Sequence, residues 1–315
     1  MTNQLVTIGV VAYNSAAFVV DTLESAKKQT YQNIELIISD DGSTDNTVEL
    51  CEQWVSNNKN RFVRSQIITV PANTGTAGNC NRVLDNTKGE WLKLIAADDV
   101  LCADAISNYM ECVNNSAEIE ALFGKAKFFY MKDGIRIETP TKYTIPKVFF
   151  SDTITAEKQY RILLKMFEGS APTFLVRTSL LREVGGFDMK YPLQEDYPLY
   201  IKLTRSGHKL YLLNKETVFI RNNSQSVTRS KRQGDIYRKF RVHCLLQYKD
   251  QYRRDYMSRF WLCMHDISLR LHYNVIRCGN TFESARCRFY YLLQRCFDPF
   301  RWYLLMRVIQ NKLSK

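Results

Sequence analysis

Short apolar runs, each ending in a polar cluster, recur through the first hundred residues. Residues 5–12 are aliphatic and β-branched and break at Tyr13-Asn14-Ser15. Residues 34–39 end in Asp40-Asp41-Gly42-Ser43, residues 65–70 lead to Asn73-Thr74-Gly75, and residues 90–96 stop at Asp98-Asp99. A continuous apolar run of this length between turn residues predicts a strand buried on both faces. Between the runs, apolar positions return at helical spacing. The predicted helices are residues 16–29, with Phe18, Leu23 and Ala26 on one side, a segment capped by Thr44 or Asp45 and running to about residue 57, and residues 77–87 and 103–113. This alternation predicts an α/β fold with a doubly wound, mostly parallel sheet. Ligands bind such sheets beyond the carboxyl ends of the strands, so the four polar clusters are expected to meet at one edge.

Further along, residues 122–130 predict a strand or hairpin with Lys132-Asp133-Gly134 as its turn. A helix is predicted over 156–167, a strand over 173–177 and a short helix over 178–184, closed by Gly185-Gly186. Another helix, 193–206, opens with Gln194-Glu195-Asp196 and stops at Gly207. From residue 235 onward the pattern is helical and rich in arginine and aromatics, so residues 1–230 read as one domain and 231–315 as a helical extension.

Charge sharpens that division. Residues 1–220 carry 24 Lys and Arg against 26 Asp and Glu, whereas residues 221–315 carry 20 against 6, so the net +12 belongs to the C-terminal third. The nine cysteines are scattered without a Cys-x-x-Cys pair, which argues for buried thiols over a zinc site or disulfide framework. No stretch reaches the roughly 18–20 apolar residues of a spanning helix, and no basic-then-apolar leader opens the chain; a cytoplasmic location is expected.

Three acidic pairs stand out. Asp98-Asp99 closes a strand, where bare carboxylates repel unless a cation or hydroxyls intervene; a cap for the following helix explains the same residues. Asp40-Asp41 divides between a ligand-binding edge and a turn with a helix cap. Glu195-Asp196, taken alone, reads as a pair that favours a helix N-terminus through its dipole.

Taken in order, residues 7–14, residues 36–45 with Asp40-Asp41-Gly42-Ser43, Asn73-x-Gly75 with Asn81, Ala97-Asp98-Asp99, Gly185-Gly186-Phe187-Asp188 and Gln194-Glu195-Asp196 resemble the family 2 glycosyltransferases of GT-A fold over about residues 4–230. The resemblance implies an inverting transferase that moves a sugar from a nucleotide-sugar donor, by default a UDP-sugar, to an acceptor hydroxyl in bacterial cell-surface polysaccharide, lipopolysaccharide or O-antigen assembly. It implies that Val11, Ala12, Tyr13, Asn14, Asp41, Asn73, Gly75, Asn81, Ala97 and Asp98 line the donor site, with Asp41 accepting from the base N–H. Asp98 and Asp99 would hold a divalent cation, Mn2+ or Mg2+, and Asp196 would be the base with Glu195 as helper or acceptor ligand. Two positions depart from the pattern: Ala96 replaces the first acid of an Asp-x-Asp, and Cys80 replaces an arginine. Ala96 keeps open a catalytically silent relative that binds glycans or membranes as an assembly partner.

Phe260, Met264, Ile267 and Leu271 recur at helical spacing beside Arg254, Arg259 and Arg270. Basic, aromatic amphipathic helices suit an anionic membrane surface, which would make the protein peripheral on the inner face of the cell membrane. A helical cap with a solvated basic face is the bland alternative; no nucleic-acid module appears. Glycan or lipid-linked acceptors are the expected partners, and oligomeric state is not legible.

Overall fold

The computed structural model describes residues 3–139, 147–164, 171–191, 195–222, 259–278, 284–298 and 302. The chain divides into two compact units, residues 1–161 with 168–222, and residues 162–167 with 223–315. The sequence boundary at 230 lies outside the described residues.

In the first unit, β1 (Val6–Ala12) pairs in parallel with β2 (Ile34–Asp40) on one side and β4 (Trp91–Ala96) on the other, and β3 (Arg64–Thr69) lies beyond β2. The chain winds outward from β1 through α1 (Val19–Lys27) and α2 (Thr47–Asn58), then reverses through α3 (Thr76–Asn86) to reach β4. Right-handed crossovers place α1 and α2 on one face and α3 on the other, which leaves a switch point between β1 and β4. Side chains alternate accordingly. Val6, Ile8, Val10 and Ala12 join Val19, Leu23, Ala26, Cys51 and Trp54 in the core. On the opposite face Gly9 lets α3 come close: a Cβ there would sit 2.4 Å from Cγ1 of Val83.

The remaining strands make the sheet mixed. β8 (Phe174–Arg177) is antiparallel to β4, β6 (Ala121–Lys132) is antiparallel to β8, and β9 (Tyr211–Arg221) is parallel to β6. β5 (Val100–Leu101) closes the order β3-β2-β1-β4-β8-β6-β9-β5. β7 (Ile135–Thr139) forms the expected hairpin with β6 around Asp133-Gly134, both at positive φ. Helices α4 (Ala105–Asn115), α5 (Ala156–Leu163), α6 (Thr178–Glu183) and α7 (Asp196–Arg205) complete the description of these segments. The β4–β8 ladder ends at Lys93 and Leu175. Where the strands part, the fully buried Lys93 ammonium donates to the Leu94 carbonyl at 2.9 Å and to the Pro172 carbonyl. Burial drives its pKa down to about 7 against the opposing pull of Asp99.

Several boundaries differ from the sequence expectation for identifiable reasons. Helix α1 starts at Val19, not residue 16, because the Ser15 and Ala16 amides donate to Thr47 Oγ1 (2.8 Å) and Asp45 Oδ2 (3.1 Å) across the sheet edge. Helix α7 starts at Asp196; residues 192–194, including Gln194, lie outside the description. Strands β5 and β9 had no counterpart in the periodicity. The middle of β9, Asn214-Lys215-Glu216, is exposed at three successive positions, so its alternation is lost where the β6 register bulges.

In the second unit, α8 (Arg259–Arg277) packs with α9 (Ala285–Phe297), which Ser284 caps by accepting from the Cys287 amide at 3.4 Å. The buried face of α8 holds Ser268, Leu269, His272 and Val275. The stripe foreseen as one apolar face, Phe260, Met264, Ile267 and Leu271, keeps solvent exposure throughout, with Phe260 64% exposed. Among the described residues no helix is long and apolar enough to cross a membrane.

Candidate active site

Register brings the polar clusters together. Ala12 lies opposite Asp40 on one side of β1, and Val11 opposite Ala96 on the other. The pairing continues past the strand ends: the Asp41 amide donates to Ala12 O at 2.9 Å and the Ala97 amide to Val11 O at 3.0 Å. Ala12 and Ala97 are buried and Ala96 half-buried, so three of these edge positions carry only a methyl group.

Asn14 stitches the first two loops. At φ 48° it takes the left-handed conformation that Asn tolerates better than most residues. Its amide donates to Ser43 Oγ at 2.8 Å, and its Oδ1 accepts from the Thr44 amide at 2.8 Å. Asp40 turns the β2 end by accepting from the amides of Gly42 (3.1 Å) and Ser43 (2.9 Å). Tyr13, 49% exposed, is left facing solvent at the mouth of this edge.

Asp41 is almost fully buried and holds the β3–α3 loop. Its Oδ2 accepts from the amides of Thr74 (3.0 Å) and Gly75 (2.9 Å), and its Oδ1 from Thr74 Oγ1 (2.6 Å) and Arg82 Nη2 (3.1 Å). Four donors fill the acceptor sites of a carboxylate. A base N–H therefore reaches Asp41 only by taking the place of one of them. Asn73 Oδ1 shares the Gly75 amide at 3.0 Å. Arg82 was not singled out by sequence. It also donates to Ser39 Oγ (3.1 Å) and Asn79 Oδ1 (3.0 Å), and its signal was a lone cation three residues after Asn79 on the helix facing two acidic strand ends.

Asn81 holds a neighbouring loop. Its Nδ2 donates to Phe187 O at 2.9 Å and its Oδ1 accepts from the Phe187 amide at 2.8 Å, so both ends of the amide hold the loop that leads to α7. Gly186 is required there: its φ is +64°, and a Cβ would come within 2.6 Å of Asn81 Oδ1.

That loop delivers Glu195 and Asp196, both half-buried, to the first turn of α7. Cys80, buried on α3, lies in the field of Glu195, Asp196 and Asp41 together, and burial followed by these charges raises its thiol. Burial, then the neighbouring Asp196 charge, pushes Glu195 up to about 8. Burial pushes Asp196 up to about 6, opposed by hydrogen bonds that include the Tyr197 amide to its Oδ1 at 2.7 Å. Both acids thus resist ionisation more than exposed carboxyls do, and they titrate as a pair. Two carboxyl groups with separated pKa values are the usual signature of an assigned acid–base role.

Asp98 and Asp99 close the other side. Burial, followed by the Asp98 charge, raises Asp99 to about 8, and burial raises Asp98. Asp99 Oδ1 accepts the Arg221 amide at 2.9 Å. No group of three or more His, Cys, Asp and Glu capable of holding a metal occurs among the described residues. Two adjacent carboxyl groups at a strand end, both raised by burial and Asp99 further by the Asp98 charge, fit a hard divalent cation of the kind held by one or two protein carboxylates plus substrate phosphates.

Arg221, the last residue of β9, also escaped the sequence reading. Its partners Asp98 and Asp21 are 123 and 200 residues away, so no local spacing announces them.

Residues 7–185 match the family described as Glycosyl transferase family 2, more than half of the chain. The chain belongs to family 2 of the glycosyltransferases. An Escherichia coli relative of this glycosyltransferase, UDP-Glc:alpha-D-GlcNAc-diphosphoundecaprenol beta-1,3-glucosyltransferase WfaP, is 28% identical over 258 residues, covering 78% of this chain and 92% of the relative. Glycosyltransferase GlyG of Streptococcus pneumoniae is 26% identical over 243 residues, 75% of this chain and 74% of the relative. Among solved structures, S. aureus TarS 1-349 with UDP-GlcNAc superposes with a TM-score of 0.59 at 18% identity, covering 86% of this chain and 72% of TarS. Mannosyltransferase PcManGT from Pyrobaculum calidifontis, with GDP-Man and Mn2+, gives 0.57 at 15% identity, covering 100% and 89%. These structures share the glycosyltransferase's GT-A-like α/β fold, the class expected from its strand–helix alternation.

Proposed function

We propose that this glycosyltransferase uses a UDP-sugar and transfers the sugar, with inversion, to a hydroxyl of a lipid-linked acceptor in bacterial cell-surface glycan assembly. The observation that carries the reading is the acidic edge built by register: β1, β2 and β4 end side by side, with Asp41 and Asp98-Asp99 just past their ends, and Cys80 on the adjoining α3 feels the charges of Asp41, Glu195 and Asp196. The WfaP relative, named for UDP-Glc and a diphosphoundecaprenol acceptor, supports the donor and acceptor classes.

The first strand end and its loop, Val11 to Asn14, with Asn73, Gly75 and Ala97, form the bed for the nucleotide. Asp41 orders that bed, and releasing one of its four donors frees an acceptor for the base. Asp98 and Asp99 would hold Mn2+ or Mg2+, which neutralises charge developing on the departing diphosphate. Asp196 takes the proton from the acceptor hydroxyl as that oxygen attacks the anomeric carbon. Protonated Glu195 donates a hydrogen bond to the acceptor without competing for the proton. One displacement by one nucleophile inverts the anomeric centre.

The test is nucleotide release from a panel of UDP-, GDP- and dTDP-sugars, with and without a polyprenyl-diphosphate-linked acceptor, in Mn2+, Mg2+ or chelator. Metal-dependent turnover of one UDP-sugar is expected. Turnover of GDP- or dTDP-sugars alone would overturn the donor, and donor binding without turnover on any acceptor would favour the silent relative.

The second unit supplies the surface side of the proposal. Phe289 and Leu292, each 59% exposed, lie one turn apart on α9 beside exposed Arg288 and Arg295, in a C-terminal third of net +14. An apolar stripe edged with arginine matches an anionic bilayer surface. Co-sedimentation is expected with phosphatidylglycerol vesicles, weakly with phosphatidylcholine, and reduced about tenfold by Phe289→Ser with Leu292→Ser. Equal binding of the double variant would remove α9 from the contact.

A further inference from the structure

We propose that Arg221 is a positioning residue that sets the geometry of the Asp98–Asp99 turn, so that divalent-cation affinity depends on a side chain that never touches the cation. The proposal rests on the assignment of that turn to the donor's metal.

The register places it there. β5 and β9 pair antiparallel, Val100 opposite Phe219 and Leu101 opposite Val218. Continuing the same register past β5 sets Arg221 against Asp98. One residue then acts on both acids: its amide donates to Asp99 Oδ1 at 2.9 Å, and its Nε donates to the Asp98 carbonyl at 2.9 Å. The first bond aims a carboxylate and the second fixes the main chain between the two acids. The guanidinium charge also favours the ionised form of the Asp98 carboxyl.

The guanidinium is itself held on every side. Its side chain is 6% exposed, and Nη2 donates to Asp21 Oδ2 of α1 at 2.7 Å. Its Cζ lies 4.9 Å from the Phe18 ring centroid and 4.7 Å from that of Phe129. The stack goes on: Arg136 of β7 lies 4.4 Å from the Phe129 centroid and 3.5 Å from that of Phe219. Phe18, Arg221, Phe129, Arg136 and Phe219 thus alternate aromatic and cation, from the residue before α1 through the β6–β7 hairpin to β9. A planar guanidinium can stack between rings and donate along two edges at once, and an ammonium cannot. Arg221 therefore ties the turn to α1 on one side and to the hairpin on the other. Groups that orient metal ligands typically change metal affinity by about 10- to 100-fold when lost.

Arg221→Lys keeps the charge and removes the fork, which isolates geometry from electrostatics. Mn2+ binding, followed by the spectroscopic loss of free Mn2+ in the presence of UDP, is expected to weaken about 10- to 100-fold. Donor KM should rise with it, kcat at saturating Mn2+ should stay within a few-fold of the parent, and the thermal midpoint should change little. A residue that served only the fold would lower the rate at every Mn2+ concentration and lower the melting point with it. Asp98→Asn runs alongside and is expected to abolish Mn2+ binding. Unchanged binding in Arg221→Lys, with binding lost in Asp98→Asn, overturns the role of Arg221 alone. Unchanged binding in Asp98→Asn overturns the metal turn, and the proposal with it. Should Arg221→Lys fail to fold, Asp21→Asn, at the 62% exposed end of the clamp, is expected to weaken Mn2+ two- to fivefold; no change there overturns the proposal.

Discussion

Asp196→Asn is expected to lower kcat by about 10²- to 10⁴-fold, the usual contribution of a general base, while leaving donor and Mn2+ affinity near the parent values. The substitution keeps the shape and the acceptor for the Tyr197 amide, but an amide oxygen cannot take the proton from the attacking hydroxyl. The pH profile provides a second, independent check. A base works deprotonated, so kcat/KM must fall as pH drops through its pKa. With Asp196 raised to about 6, the acid limb is expected near pH 6, well above the 3.8 of an ordinary aspartate. Were Glu195 the base, the limb would lie near 8. Glu195→Gln separates the two: a neutral amide stands in for the protonated acid, so activity at pH 7 should survive within about tenfold. Steady-state rates from pH 5 to 9 on both variants decide it. A limb near 8 together with a dead Glu195→Gln would exchange the roles.

The second large effect is at the opposite side of the edge. Asp98→Asn should reduce metal-dependent turnover by about 10²- to 10³-fold, equivalent to the loss of several kcal/mol of charge stabilisation at the departing diphosphate. Chelation of the parent enzyme should mimic it, and excess Mn2+ should reverse the chelation but not the substitution. Burial raises both carboxyls, and the Asp98 charge raises Asp99 further, so a divalent cation would favour the ionised pair. Turnover undiminished by chelator or by Asp98→Asn would remove the metal from the reaction. Single-turnover rates across a Mn2+ titration measure this directly.

The two sets of groups approach the reaction from different parts of the fold. Donor-side residues hang from β1, β2 and β4, whose parallel register is enforced by strands buried on both faces. The base pair hangs from a loop whose position depends on Asn81 gripping the Phe187 main chain and on Gly186 yielding space for that grip.

Much of this was legible in the chain. The apolar runs that became β1, β2 and β4 are long enough and β-rich enough to be read without context, and the acids that end them fall at the sheet edge by the rule of open α/β sheets. The hairpin turn at Asp133-Gly134 and the stop at Gly185-Gly186 follow from local backbone chemistry. Local patterning also separated the basic C-terminal third, because charge composition needs no geometry.

The tertiary structure decided what depends on distant partners. β9 carries three exposed polar residues in its middle and owes its place to β6 and β5, so its own sequence does not announce it. Arg82 and Arg221 look like surface cations until Asp41 and the Asp98–Asp99 turn are brought to them. The raised pKa values of Glu195 and Asp196 come from desolvation and, for Glu195, from the neighbouring Asp196 charge, which act only once the fold has enclosed them. Periodicity and turn chemistry act over a few residues and are written in the sequence; hydrogen-bond partners, burial and field are properties of the assembled edge.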